Sequence, residues 1–499
     1  MSARAVKKVV IAGGGTAGWI AAAALSRHLG PLLEITLVES DAIGTIGVGE
    51  ATIPTHQTFH RLLGLDEQHF MRATQATFKL GIAFENWGRE GDRYIHAFGQ
   101  VGKSTWIANF QHIWHEASRR GLAGPLDDYC FELQAAEAER FATSDQTTIS
   151  YAYHLDASLY AKLLREISEK NGVKRIEGKI EAVHQHPEDG RIASLKLESG
   201  DVVEGDFFID CTGFRALLIG DALGSAFVDW TAVLPCDRAL AVQTEATESA
   251  RPYTRAIAHD AGWRWKIPLQ HRVGNGLVYC SDHLSDDEAH QRLLGVVDGA
   301  TVTDPRLIRF RTGTRDKVWV KNCLALGLSS GFVEPLESTS IHLIQYAVTR
   351  LIQLFPFADD ADALSDQYNE ENRKDMEHLR DFIVLHYHAN QREGEPFWDR
   401  CRTMDIPHSL SKRIALFQES FHTYQGPDEL FRLDSWLQVM MGQRLTWGSG
   451  HQLPKMMTDE QLQGALGSLK SNIDKAVAAM PPHHEFIERY CAAPSPRQA

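Results

Sequence analysis

Several short stretches carry residues whose chemistry exceeds ordinary packing. In "TFKLGIAFENW" (77–87) one lysine, Lys79, interrupts an apolar run. Read as a single strand, Phe78, Leu80, Ile82 and Phe84 share one face, and Lys79, Gly81, Ala83 and Glu85 share the other. Small residues beside a lysine leave room for a ligand; a half-buried lysine paired with Glu85 is the plainer alternative. "GFVEPLESTSIHLIQYAV" (331–348) places Glu334 and Glu337 just before apolar positions Ile341, Ile344 and Val348, whose spacing predicts a helix with Ser338–Ser340 in its first turn. Free N–H groups and the positive end of the helix dipole favour an anion there, although a simple Ser/Thr cap would look the same. "GWRWKIP" (262–268) predicts a strand with Trp263, Trp265 and Ile267 on one face and Arg264 and Lys266 on the other. That bulky wall is either core packing or a partition. In "YIHAFG", His96 and Phe98 share a strand face, with plain core packing again the rival.

The elements that must position these residues begin at the N-terminus. "KKVVIAGGGTAGWIAAAALSRHL" reads as a strand, a glycine turn and an alanine-rich helix. Gly13, Gly15 and Gly18 fit G-x-G-x-x-G, with Thr16 and Ala17 opening the helix: Gly13 for the tight turn, Gly15 for close approach to a pyrophosphate, Gly18 for helix–strand packing. A second strand, "LEITLVES", ends in Glu39, 21 residues after Gly18, where a carboxylate binds ribose hydroxyls. Strand, turn, helix, strand and acid together predict a dinucleotide site. The chain returns to this fold twice, at "FFIDCTGFRALL" and at "VWVKNCLALGLSSGFVEPLESTSI", which favours FAD over NAD. No second glycine fingerprint provides an NAD(P)H site, so the protein is not expected to reduce its own flavin efficiently.

With 499 residues, 43% of them apolar, the chain can bury two or three joined cores. Net charge of −14 argues against nucleic-acid or anionic-membrane surfaces, and no apolar run is long enough to span a bilayer. The N-terminus lacks the pattern of a signal peptide. Seven scattered cysteines, none in C-x-x-C spacing, read as reduced thiols of a cytoplasmic protein, and the histidine pairs 386/388 and 483/484 lack companions at metal-ligand spacing, so no metal is expected.

Taken together, these segments resemble the flavin-dependent tryptophan halogenases from about residue 5 to 400. The resemblance rests on the fingerprint, "GVGEATIPT" (47–55, the flavin-covering strap), Lys79 in its run, W-x-W-x-I-P at 263–268, "EPLESTSI" (334–341) and "HYHANQREGEPFW" (386–398). It implies an α/β, FAD-binding Rossmann-like fold of the GR2-type flavin monooxygenases, with an interwoven substrate domain and a helical C-terminal part. It implies that reduced FAD, supplied by a separate reductase, and O2 oxidise chloride or bromide to hypohalous acid. That acid reaches Lys79, which holds it or forms a haloamine, and halogenates an electron-rich aromatic. Glu337, selected over Glu334 by the E-P-L-E register, acts beside the substrate as acid or base. Thr339 and Ser340 cradle the halide, and His96 and Phe98 flank the substrate. Trp263 and Trp265 form a barrier that keeps substrate and water from the flavin. Gly49, Ala51, Ile180, Leu328 and Ile341 join the fingerprint residues in binding FAD.

Two departures matter. Ser340 stands where the family usually has glycine. The tyrosine-rich lid expected after about residue 430 is replaced by "RLDSWLQVMMGQRLTWGSG", so indole or an indole derivative is expected rather than strictly free tryptophan. The expected division is an FAD domain (5–60, 155–230, 315–350), a substrate domain (61–154, 231–314) and a mainly helical region (351–490). The expected partners are an indole-type aromatic and the reductase, with a homodimer left open. The rival readings are a flavin hydroxylase on the same fold and a non-catalytic FAD-binding protein.

Overall fold

The structure, a computed structural model, describes residues 5–44, 50–143, 149–358 and 361–494. Gly49 therefore lies outside the described residues, as does the last part of the C-terminal tail. The chain divides into two compact units. One comprises 1–76, 155–235 and 309–377; the other comprises 77–154, 236–308 and 378–499.

The first unit is built on a six-stranded sheet in the order Trp319–Val320, Cys323–Ala325, Phe207–Asp210, Lys8–Ala12, Glu34–Glu39, Lys174–Glu177. All neighbours pair in parallel except the first two. Its central strands are near-continuous runs of Val, Ile and Phe because a parallel sheet is covered on both faces. Helices Thr16–Leu29, Ala157–Lys170 and Ser340–Gln353 pack together, and the alanines at 21–24 are fully buried and small enough to let them approach. The expected returns to the nucleotide fold are present as Phe207–Asp210 and as Cys323–Ala325 followed by the turn Gly327–Ser329 and the Ser340–Gln353 helix.

The second unit is built on a seven-stranded sheet in the order Arg306–Arg309, Arg238–Thr244, Val273–Tyr279, Gly262–Pro268, Tyr253–His259, Gly81–Glu85, Arg93–Ala97. From Arg238–Thr244 to Arg93–Ala97 its neighbours pair antiparallel, except where Tyr253–His259 runs parallel beside Gly81–Glu85. The helices from His408–Ser420 to His483–Cys491 make the end of the chain mainly helical. No described helix is long and apolar enough to cross a membrane.

Candidate active site

At the nucleotide end, a Cβ on Gly13 (φ +108°) would fall 2.3 Å from the Cys211 carbonyl oxygen, and one on Gly18 would fall 1.9 Å from that of Gly13. Only glycine fits either position. Gly15 caps the Thr16–Leu29 helix in extended conformation with no side-chain hydrogen bond, so the first-turn N–H groups at Thr16 and Ala17 face outward without a built-in acceptor. The Glu39 carboxylate lies over this turn: a Cβ on Gly14 would sit 1.6 Å from its Oε2, while its Oε1 accepts from Arg175 Nε at 2.6 Å. A bare glycine turn, open amides and one fixed carboxylate suit the pyrophosphate and ribose of a dinucleotide. The Gly327–Ser329 turn closes on the same helix, with a Gly327 Cβ position 2.8 Å from the Ala17 methyl. Leu328 and Ile180 are half-buried, and Ala51 and Ile341 are buried.

Sequence reasoning passed over Asp210, the fully buried acid ending "FFID". It accepts from the Thr212 N–H and hydroxyl and from the Leu218 and Ile219 N–H groups, at 2.7 to 2.9 Å, and so shapes the loop after its strand. Burial raises its carboxyl above the usual range, and these bonds oppose the rise.

The 334–345 segment differs slightly from expectation. Pro335–Glu337 form one 3-10 turn, Ser338 adopts left-handed backbone (φ 58°), and the helix starts at Ser340 with Thr339 as its cap. Ser338 thus lies ahead of the first turn rather than within it, because the Pro335 turn must reverse before the helix can begin. Thr339 is 1% exposed, makes no capping bond, and its Oγ1 has no hydrogen-bond partner. An orphaned buried hydroxyl beside open helix amides is chemically suited to an anion. Glu334 and Glu337 are both buried.

Lys79 is completely buried, but not in one long strand. The alternation over 77–87 breaks at Leu80. Thr77–Lys79 pairs with Ala152–Leu155 in a separate sheet, while Gly81–Glu85 joins the seven-stranded one. The switch is forced by Leu80, whose N–H donates to Pro252 O at 2.7 Å and whose carbonyl accepts from Phe98 N at 2.9 Å. Gly81 is not open space either: a Cβ there would lie 2.5 Å from the His96 carbonyl oxygen, so its smallness serves strand approach. Glu85 is taken by Arg255, in two bonds of 2.6 and 2.7 Å. The Lys79 ammonium sits 5.3 Å from the centroid of the Phe98 ring.

Trp263 and Trp265 occupy the expected strand, 1% and 5% exposed, with ring centroids 6.1 Å apart. Behind them, the Trp87 ring lies 6.3 Å from Trp263 and edge-on to Trp398 at 5.3 Å. The 386–398 stretch therefore contributes packing: Trp398 Nε1 donates to His259 O and Arg392 to Asn86 O.

His96 lies in the Arg93–Ala97 strand, while Phe98 falls just past its end. The His96 ring is 5.6 Å from Phe382 and 6.3 Å from Phe431, which stack on each other at 3.7 Å. Apart from their apolar character, nothing in the sequence marked these last two. The Leu433–Gly442 helix seals this strand: Gln438 bonds both N–H and C=O of Ala97, and Asp434 accepts from Val101 N. Among the described residues, no group of three His, Cys, Asp or Glu could hold a metal ion.

Comparison with known proteins gives the family. The tryptophan halogenase family model matches residues 8–459. Tryptophan 6-halogenase SttH of Streptomyces toxytricini is 38% identical over 441 residues, covering 83% of this chain and 84% of that protein. Among solved structures, Xcc4156, a flavin-dependent halogenase from Xanthomonas campestris, superposes with a TM-score of 0.97 at 52% identity, covering 99% of this chain and 100% of that one. BrvH, a flavin-dependent halogenase from Brevundimonas sp. BAL3, gives 0.93 at 43% identity over 98% and 99%. With the family match spanning nearly all of its length, the chain belongs to the tryptophan halogenase family.

Proposed function

We propose that this flavin-dependent halogenase halogenates an electron-rich indole-type aromatic, with free tryptophan one acceptable substrate rather than the required one. When bound, reduced FAD, supplied by a separate reductase, provides with O2 the two-electron oxidation of chloride or bromide to hypohalous acid. The glycine turn and Glu39 hold the dinucleotide, and the amides and hydroxyl at Thr339 and Ser340 hold the halide. Trp263 and Trp265 keep the aromatic and bulk water from the flavin. Lys79 donates a hydrogen bond to the oxygen of the hypohalous acid. The ring carbon attacks the halogen, the O–X bond breaks, and the oxygen takes the proton offered by Lys79 and leaves as water. Glu337 accepts the proton lost from the ring.

The observation that carries this reading is Lys79, a fully buried ammonium set beside an aromatic ring in a chain of this family. Lysine is seldom completely buried, and burial keeps water from competing for its hydrogen bonds. Lys79→Ala, assayed with FAD, a reductase, NADH, bromide and indole, should abolish halogenated product by mass spectrometry. FAD binding and flavin reoxidation should be nearly intact. Undiminished product would remove Lys79 from the reaction.

A further inference from the structure

Two residues before Lys79, the Thr77 hydroxyl lies 2.8 Å from the carbonyl oxygen of Pro268 and 2.9 Å from His154 Nδ1. A carbonyl can only accept, so the hydroxyl proton goes to Pro268 and Thr77 Oγ1 must accept from His154. That places the imidazole proton on Nδ1. The other ring nitrogen, Nε2, is 3.0 Å from the Thr254 hydroxyl, and in a neutral ring it can only accept. The result is a chain with one direction: Thr254 donates to His154, His154 to Thr77, Thr77 to Pro268. Thr77 and His154 are completely buried and Thr254 is 4% exposed, so water does not compete.

The ends of the chain give it meaning. Pro268 closes the strand that carries Trp263 and Trp265, and Thr254 belongs to the strand beside it. Thr77 and Lys79 share one face of their short strand, which pairs His154 opposite Thr77 and Ala152 opposite Lys79. Only three residues long, that strand has little ladder to fix it. It is tied at Thr77 through His154 and at Leu80 through Pro252.

We propose that His154 is a positioning residue for halogenation: by donating its Nδ1–H to Thr77 it directs the Thr77 hydroxyl proton to Pro268, and so holds the Lys79 strand in register with the tryptophan-bearing strand. Burial first, then the neighbouring Lys79 charge and His483, push His154 well below the ordinary histidine range. The ring therefore stays neutral and brings no second cation beside the lysine. Displacing a reacting group by about 1 Å can lower a rate roughly 100-fold. Loss of this tether should thus waste hypohalous acid rather than stop its formation.

The inference rests on Lys79 being the lysine that presents the oxidised halogen, so Lys79→Met is measured alongside. Two ratios are read: halogenated aromatic per flavin oxidised, and hypohalous acid captured by a freely diffusing scavenger per flavin oxidised. His154→Leu removes the donor; His154→Asn keeps an N–H near the Nδ1 position. The leucine variant should lose about 10- to 100-fold in the first ratio and gain in the second, with KM for the aromatic little changed. The asparagine variant should recover to within about threefold of the parent. If His154→Leu does not fold, the isosteric Thr77→Val, which removes the Thr77–Pro268 bond together with the His154 bond, is read the same way. Unchanged ratios in the folded variant that lacks the link, or an asparagine variant no better than leucine, would overturn the role of His154. If Lys79→Met keeps full product, the reading of Lys79 fails whatever His154 does.

Discussion

The indole of Trp265 lies directly over the backbone of Gly276, its partner across the antiparallel pair, so that a Cβ on Gly276 would come 2.0 Å from the indole ring. The glycine is the seat of the ring. Gly276→Ala should tip Trp265 out of place, with an overpacking penalty of roughly 1–3 kcal/mol in urea denaturation. If Trp265 is part of the barrier, halogenated product per flavin oxidised should fall as well. Lower stability with an unchanged product ratio would confine Trp265 to packing.

Thr339 and Glu337 should separate cleanly by kinetics. Thr339→Val removes a buried hydroxyl that has no partner in the protein. In halide-free buffer the variant should be as stable as the parent or more so, since an unsatisfied buried polar group costs about 1–3 kcal/mol. Its KM for halide should rise roughly tenfold, the worth of one hydrogen bond to an ion. Glu337→Gln should instead lower kcat by about two orders of magnitude with little change in halide KM. A Thr339→Val enzyme with unaltered halide KM would move the halide elsewhere.

Substrate choice should follow from how polar groups near the Arg93–Ala97 strand are used. Asp434 and Gln438 are committed to backbone atoms of Val101 and Ala97. They are thus unavailable to an amino acid's ammonium or carboxylate, each such bond being worth about 1.5–3 kcal/mol. Indole should compete with free tryptophan, with kcat/KM at least comparable, and bromide, less strongly hydrated and easier to oxidise, should outpace chloride. Parallel turnover of both aromatics in equal bromide and chloride checks this. A strong preference for tryptophan, or faster chlorination, would contradict it.

Acid should destabilise the fold through buried neutral histidines. Burial lowers His56 to about 3 and His112, His342 and His483 to about 4, and it lowers His60 and His154 as well. Their folded values lie below the unfolded value of about 6.5. Hence below that pH the unfolded chain binds protons that the folded protein does not, and stability falls as pH drops from 6.5 toward 4. Each ring adds a slope of up to about 1.4 kcal/mol per pH unit. Asp210 and Glu132, raised by burial, act in the opposite sense. The urea midpoint should decline between pH 7 and 5; a flat profile would mean that these rings are not held neutral.

Local pattern made the nucleotide turn, the Gly262–Pro268 strand and the Ser340–Gln353 helix legible, because glycine spacing, alternation and helical periodicity each act over a few residues. The break at Leu80 was not legible. Alternating apolar residues look alike whether a strand stays in one sheet or switches, and the switch depends on Pro252 and Phe98, which are distant in sequence. His154 was passed over for the same reason. In "YAYHLDA" it is a lone histidine in an apolar strand, and its partners Thr77 and Thr254 stand 77 and 100 residues away. Asp210 could have been read, since an acid closing a buried strand at a loop is seldom idle.

The interleaving of the chain bears on how the protein must be made. Lys8–Ala12, made before the rest of its sheet, waits for Phe207–Asp210 before it gains its second neighbour, and that strand in turn waits for Cys323–Ala325. The chain passes between the two units at residues 76/77, 154/155, 235/236, 308/309 and 377/378. Neither unit can therefore be produced as a contiguous fragment, and a chimera exchanging one unit with a relative needs every one of those junctions. Sheets that close so late leave edges exposed on the ribosome. Low growth temperature and chaperone supply should thus raise the yield of this enzyme.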